Sequence, residues 1–169
     1  MAIDPSHPAP GRLELVRSLA NTEDRYGGHD ELADGAWPTD RLDELLRLRT
    51  TVRDLATANT ERQPPRHETV AEFNRIAAAH PQVVRLDHDV TDLSAELQAH
   101  HVAGEVVAAV HEAIIAGTWS RLKACANPEC RWLFYDISRS HTGRWCSMAA
   151  CGSLHKARAY RRRRRAEPS

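Results

Sequence analysis

Apolar residues recur at helical spacing along much of the chain, and this pattern predicts a mainly α-helical N-terminal region. In the segment 13–21, the residues Leu13, Val16 and Leu19 fall on one face of a short helix. Leucines and valines at the same spacing predict a second, longer helix from about 40 to 58. Prolines follow that segment, which agrees with the end of a helix.

Two more helices are predicted further along. One covers about 67–79 and stops at His80-Pro81. The other runs from Ser94 to Ala116, where aliphatic residues again recur at helical spacing, and Gly117 follows at the position typical of a C-terminal cap.

A small β-hairpin is expected between these two helices. Val83, Val84 and Leu86 predict one short strand, and Val90 and Leu93 predict its partner beyond a turn at 87–89. The N-terminal region is therefore expected to be helical with a small hairpin.

The overall composition is that of an ordinary globular protein, with 41% hydrophobic and 27% charged residues. No segment approaches the roughly 20 consecutive apolar residues that a bilayer-spanning helix needs. The first residues, MAIDPSHPAPGR, lack the basic-then-apolar order of a signal peptide. We therefore expect a cytoplasmic protein.

Charge is distributed unevenly, although the formal net charge is zero. Residues 1–120 carry 11 basic and 20 acidic side chains, whereas residues 121–169 carry 12 basic and 3 acidic ones, so the two parts have net charges of −9 and +9. Composition also changes after Gly117, since all four cysteines follow it. We place the boundary there, with a helical domain over 1–117 and a basic module over 118–169.

The four cysteines form two equally spaced pairs, C-x4-C-x15-C-x4-C, at Cys125, Cys130, Cys146 and Cys151. Two short-range pairs can bring four thiolates to one tetrahedral ion, which predicts a single structural Zn²⁺ rather than a catalytic one. Alternatives are two disulfides, four free cysteines or an iron–sulfur cluster. A further alternative is that His141 or His155 replaces one of the cysteines as a zinc ligand.

The segments around the cysteines predict the order knuckle, β-hairpin, helix. Alternating residues from Trp132 to Ile137 predict a strand, and Arg144-Trp145-Cys146 is the expected return strand. The second cysteine pair is expected to open a helix.

That predicted helix is strongly basic. Arginine runs bind phosphates in a largely sequence-independent way, so nucleic acid is the expected partner. DNA is the expected kind, with the helix in the major groove or along the phosphates. The alternatives are a solvated tail or one that binds the acidic domain or the ribosome. The candidate contacts are Arg144, Lys156, Arg158, Arg161, Arg162, Arg163, Arg164 and Arg165.

The segment from Cys125 to Arg165 resembles the CGNR zinc-finger module. The resemblance includes the Trp-x-Phe-x-Asp-x-Ser pattern beginning at Trp132 and the Arg-Trp-Cys-Ser-Met run at 144–148. Residues 13–116, with LANT at 19–22, are similar to the ABATE-type domain of stress-induced transcription regulators. One departure is that Ser153 and Leu154 stand where the name-giving motif has Asn and Arg.

This resemblance implies zinc binding by the four cysteines and a role in bacterial transcription. We expect a non-enzymatic regulator whose helical domain senses a small effector or forms a dimer. Trp37 and the loop 26–34 are candidate effector contacts. The alternative function is a zinc-stabilised module that binds RNA, the ribosome or an acidic protein without promoter specificity.

Overall fold

The computed structural model describes residues 8–35, 37, 41–87, 94–99 and 101–166. Helices and short antiparallel strand pairs alternate along the chain, and the predicted mainly α fold is confirmed. The helices are α1 (Leu13–Asn21), α2 (Leu42–Glu61), α3 (His67–Ala79), α4 (Val102–Ile115) and α5 (Ser153–Ala166). The strands are β1 (Glu23–Asp24), β2 (His29–Asp30), β3 (Val83–Asp87), β4 (Ser94–Gln98), β5 (Leu122–Ala124) and β6 (Leu133–Tyr135).

The hydrophobic core forms where α1, α2 and α4 face one another, with α3 against α2. Burial of their apolar faces is the main force that holds these helices together, because helices this short are marginal alone. The largest fully buried side chains of these helices are Val16, Leu19, Leu48, Val52, Ile76, Val106 and Val110.

Most helix ends lie close to the positions predicted from the sequence. The predicted bounds of α1 and α3 match the structure, and α2 extends to Glu61, where Arg62 adopts a left-handed backbone with φ of 58°. At the end of α4, Gly117 has φ of 69° and its N–H donates to the carbonyl of Ile114. Glycine adopts this conformation without a Cβ penalty, so the predicted cap is confirmed.

The helix predicted from Ser94 is wrong in its first part. Residues Ser94–Gln98 form β4, paired with β3 in a register that places Val83 opposite Gln98, and α4 begins only at Val102. Ladder hydrogen bonds to β3 satisfy this backbone, so pairing overrides the helical pattern. The first predicted strand is confirmed as β3, whereas Val90 and Leu93 lie outside the described residues.

The strand pair near the cysteines also differs from the prediction. β6 pairs with β5, Leu122 facing Tyr135 across the pair, and the predicted return strand at 144–146 is wrong. In the described part, one hydrogen bond between two backbone groups connects that segment to the turn at the first cysteine pair, from the Ala126 N–H to the Arg144 carbonyl at 2.8 Å.

The β5–β6 hairpin packs directly on α2. Asn59 Nδ2 donates to the carbonyls of Trp119 and Leu122, each at 2.9 Å, and Thr60 Oγ1 donates to the carbonyl of Ala124 at 2.7 Å. Leu122 and Leu133 belong to the same buried cluster as the helices. One core thus continues through both proposed domains, and the division at 117/118 stays a prediction.

None of the helices in the described residues combines the length and the apolar character needed to cross a bilayer.

Candidate metal centre and nucleic-acid interface

The first cysteine pair is held by a tight turn that follows β5. The Asn127 carbonyl accepts the N–H groups of Cys130 at 2.9 Å and Arg131 at 3.0 Å, and the Cys125 N–H donates to the Trp132 carbonyl at 2.8 Å. This turn, residues 125–132, is the zinc knuckle. It bends the backbone so that Cys125 and Cys130 lie on the same side.

The second pair is held by a short π-helical turn, Met148–Gly152, that continues into α5. Ser147 caps the turn by accepting the Ala150 N–H on its hydroxyl at 3.2 Å. Cys146 precedes the turn and Cys151 lies within it. The predicted opening of a helix by this pair is therefore confirmed, through a π turn of the kind often found at functional sites.

The four sulfur atoms converge, since all Sγ atoms lie within 4.8 Å of one another. The Sγ of Cys146 lies 3.7 Å from that of Cys130 and 3.8 Å from that of Cys151. A tetrahedral ZnS₄ site with Zn–S bonds of about 2.3 Å has sulfur–sulfur edges of about 3.8 Å. The four residues therefore fit one zinc ion and leave no ligand position for water.

The electrostatics of the four neighbouring thiols also favour a bound cation. Hydrogen bonds from the thiols of Cys130 and Cys146 lower the pKa of Cys125 to about 2. The Cys125 thiolate in turn raises the pKa of Cys130 to about 12 and raises that of Cys146 strongly. Four thiolates this close repel one another, and a divalent ion between them would offset much of that repulsion.

Backbone and side-chain donors surround the sulfur cluster. Amides of Asn127 and Cys146 bond to Cys125, and the amide of Trp132 bonds to Cys130. The buried side chain of Asn127 places Nδ2 at 3.7 Å from the Sγ of Cys151. Such donors stabilise thiolates and orient metal ligands.

Tyr26, in the turn between β1 and β2, reaches the zinc knuckle. Its phenol oxygen accepts a hydrogen bond of 2.7 Å from Asn127 Nδ2, and Arg25 donates to the Pro128 carbonyl at 3.3 Å. The loop 26–34, a candidate effector contact, thus touches the surroundings of the metal site. The sequence carried no signal for this contact.

A buried ion pair fixes the loop that leads to Cys146. Lys123 Nζ lies 2.7 Å from the Asp136 carboxylate and also donates to the carbonyl of His141 at 2.6 Å. Asp136 accepts the N–H groups of Ser138 at 3.0 Å and Gly143 at 2.8 Å. Burial raises the pKa of Asp136, but Lys123 and these amides outweigh it and hold that pKa well below its usual range.

The sequence analysis did not predict the ion pair between Lys123 and Asp136. Asp136 was named only as part of the Trp-x-Phe-x-Asp-x-Ser pattern, and nothing in the sequence indicated which residue Lys123 would contact. Thirteen residues separate the two, and β-pairing brings them together.

The two histidines considered as replacement ligands lie outside the sulfur cluster. The His155 ring stacks on Trp145 with centroids 4.7 Å apart, and the His141 carbonyl accepts from Lys123 and Arg62. In the described ranges, the metal-binding group consists of the four cysteines.

The residues predicted to contact nucleic acid lie on two different surfaces of the structure. Lys156, Arg158 and Arg161 to Arg164 are exposed on α5, and Arg165 lies in the same helix, although its side chain is outside the described part. Arg158 also pairs with Glu129 at 3.1 Å. Arg144 lies elsewhere, in a groove beside α2 that no described α5 residue lines.

The departure from the name-giving motif falls at the start of α5. Ser153 is exposed and its hydroxyl donates to the Met148 carbonyl at 3.0 Å, while Leu154 is 39% exposed. Neither residue takes part in the sulfur cluster.

Trp37 is half-buried and packs against the main core. Residue 36 and residues 38–40 beside it are outside the described part. Its role as an effector contact stays a prediction.

These observations define a zinc-finger protein with a helical N-terminal region. Residues 121–164 match the family model "CGNR zinc finger", and residues 11–120 match the ABATE model, described as "Putative stress-induced transcription regulator". The chain belongs to the ABATE family, and the resemblance drawn from the sequence is confirmed in its predicted order. A search among curated proteins found no match.

Proposed function

We propose that this protein is a non-enzymatic transcription regulator that contacts duplex DNA through α5. The observation that carries the proposal is that α5 projects from the metal site with basic side chains on every face. From Ser153 to Arg164 its residues are exposed apart from Ala159, which is half-buried. A helix of this width fits the DNA major groove, and arginine binds phosphates and guanine.

Zinc supports this role by fixing the N-terminal end of the helix. Cys151 lies two residues before α5 begins, so its bond to the ion would set the direction in which the helix leaves the body. Phosphate contacts along the rest of the helix then supply affinity, while any sequence preference needs contacts to base edges.

The experiment is a fluorescence-anisotropy titration of labelled duplex DNA with the zinc-loaded protein at several salt concentrations. We expect log K to fall linearly with log salt, and replacing Arg162, Arg163 and Arg164 by Gln to reduce that slope by about 3. A matched control replaces Arg41, Arg47 and Arg75 by Gln, which changes the net charge equally on the helical body. This control is expected to leave the slope close to that of the unchanged protein.

Absence of binding at low salt would overturn the proposal, as would equal losses in the two variants. Competition with structured RNA distinguishes the alternative function. If RNA displaces DNA at equal concentrations and no DNA sequence is preferred, the protein is a general nucleic-acid-binding module.

A further inference from the structure

A groove of about 520 Å³ lies between α2, the α2–α3 turn and the zinc knuckle. Its walls come from both parts of the chain, since Asp54 and Arg66 line it on one side and Cys125 and Arg131 on the other. Small-molecule sites in proteins commonly have volumes of about 300–1,000 Å³. This groove is therefore large enough for a metabolite-sized ligand.

The arginines that line this groove differ in whether they have an acidic partner among the described residues. Asp54 is shared by two guanidinium groups, with Arg131 at 2.6 Å and Arg66 at 3.1 Å. Arg144 is exposed, and its guanidinium group forms no hydrogen bond or ion pair with any residue in the described ranges. Arg66 and Arg131 thus pair with Asp54, whereas the guanidinium group of Arg144 is left to bind an anion.

One arginine that lines the groove, Arg131, is held in position by the backbone and by α2. Arg131 has φ of 52°, a left-handed conformation that a non-glycine residue adopts at a cost. Its Nη2 donates to both Asp54 and Thr57, at 2.6 and 3.0 Å, and these are its side-chain bonds within the described residues. The remaining guanidinium nitrogens stay available to an acceptor.

The rest of the lining suits the non-ionic part of a ligand. The rings of Pro64, Pro65 and Pro128 border the groove and offer apolar surface, while Thr57 and Gln63 offer polar groups. Guanidinium groups bind carboxylates and phosphates through paired N–H donors. An anionic group beside Arg144 and Arg131, with an apolar portion against the prolines, would use both features.

We propose that this groove binds a small organic anion that carries a carboxylate or phosphate group. The ligand bridges α2 to the zinc knuckle, so its binding holds the basic module against the helical body. This inference is independent of DNA binding by α5, because the two surfaces share no described residue.

The test is thermal unfolding of the full, zinc-loaded chain with benzoate, succinate or inorganic phosphate, each compared with chloride at equal ionic strength. A ligand at ten times its Kd is expected to raise Tm by about 3–6 °C. The shift should disappear in Arg144→Gln and persist when Arg162, Arg163 and Arg164 are replaced by Gln. That triple variant is the control for anions that bind the basic helix.

A second measurement locates binding without any substitution. In ¹⁵N–¹H spectra of the unchanged protein, the probe should move the amide signals of Thr57, Ala124 and Ala126 and leave those of α5 in place. The inference is overturned if none of the three probes raises Tm, if the shift survives in Arg144→Gln, or if the moved signals belong to α5. None of these outcomes bears on the DNA titration, so the two proposals fail separately.

Discussion

The Tyr26 phenol oxygen lies 2.7 Å from Asn127 Nδ2, and it joins the N-terminal region to the surroundings of the zinc site. The two residues are 101 positions apart in the chain. Since Asn127 also reaches the sulfur of Cys151, this contact links the β1–β2 turn to a metal ligand through one side chain.

We expect Asn127→Ala to lower zinc affinity by about 10- to 100-fold, the usual effect of losing a partner that orients metal ligands. Tyr26→Phe keeps the ring and removes one hydrogen bond, so it should cost about 0.5–1.5 kcal/mol of stability and weaken zinc binding less. Competition with a chromogenic chelator measures both. Tyr160→Phe is the control, because Tyr160 is 56% exposed on α5; equal affinity in all variants would contradict the link.

Protein purified without added metal should contain about one zinc per chain, because the four thiolates complete one tetrahedral shell. Removing the ion with a chelator should release the knuckle and the π turn, while the helices of the main core persist at lower stability. Metal analysis and circular dichroism before and after chelation measure this. Trp132 and Trp145 pack against the cysteines, so their fluorescence should change as well; unchanged spectra in a metal-free protein would contradict a structural role for zinc.

Breaking the ion pair between Lys123 and Asp136 should be strongly destabilising. Both side chains are almost fully buried, with 3% and 4% exposure, so Lys123→Met leaves a buried carboxylate without its cation. The expected loss is about 3–5 kcal/mol, measured by urea unfolding. Arg66→Met removes an exposed cation that also pairs with a carboxylate, Asp54, and should cost about 1 kcal/mol or less.

Lowering the pH should reduce the stability that the ion pair between Asp30 and Arg49 contributes. Hydrogen bonds from Arg49, at 2.6 and 2.9 Å, hold the pKa of Asp30 below its ordinary value. A carboxyl with a depressed folded-state pKa stabilises the protein above the unfolded pKa of about 3.9 and loses that contribution as pH falls through the folded value.

The difference in unfolding free energy between the unchanged protein and Asp30→Asn measures this effect. It should be about 1.5–3 kcal/mol near neutral pH and should shrink below about pH 4. Taking the difference at each pH removes the contribution of zinc loss, which both proteins share. A difference that is constant down to low pH would show that Asp30 acts only through its shape.

DNA should increase the helicity of α5. Its arginines repel one another at spacings of three and four residues, each pair costing about 0.2–0.5 kcal/mol, and the helix is too short to be stable alone. Phosphates neutralise this repulsion, so far-ultraviolet ellipticity at 222 nm should become more negative on adding duplex DNA. The variant with Gln at 162, 163 and 164 should show a smaller change, and an equal change in both would place the added helix elsewhere.

The sequence predicted what depends on local pattern and on chemistry at fixed spacing. Helices α1 and α3 follow from apolar residues at helical period, and the sulfur cluster follows from two equal cysteine spacings. The strand at 94–98 was missed because its backbone pairs with β3, a choice that local periodicity does not encode. The partner of β6 was missed for the same reason, since Leu122–Ala124 carries no strand pattern of its own.

The contacts between the N-terminal region and the zinc knuckle could not be predicted from the sequence. Tyr26 with Asn127 and Arg131 with Asp54 each link residues more than 70 positions apart. Such pairs are set by how the helices pack, and a single sequence carries no record of that packing.

Leu122 and Leu133 have a practical consequence for any effort to move the finger to another protein. Both are fully buried in the helical core, although they fall inside the region that matches the zinc-finger family. A fragment that ends at 120 would leave a hole in the helical body, and one that begins at 121 would expose two leucines to water. The zinc finger therefore does not fold as an independent unit. Transferring it to another protein would succeed only if that protein supplied an apolar surface against which the β5–β6 hairpin could pack.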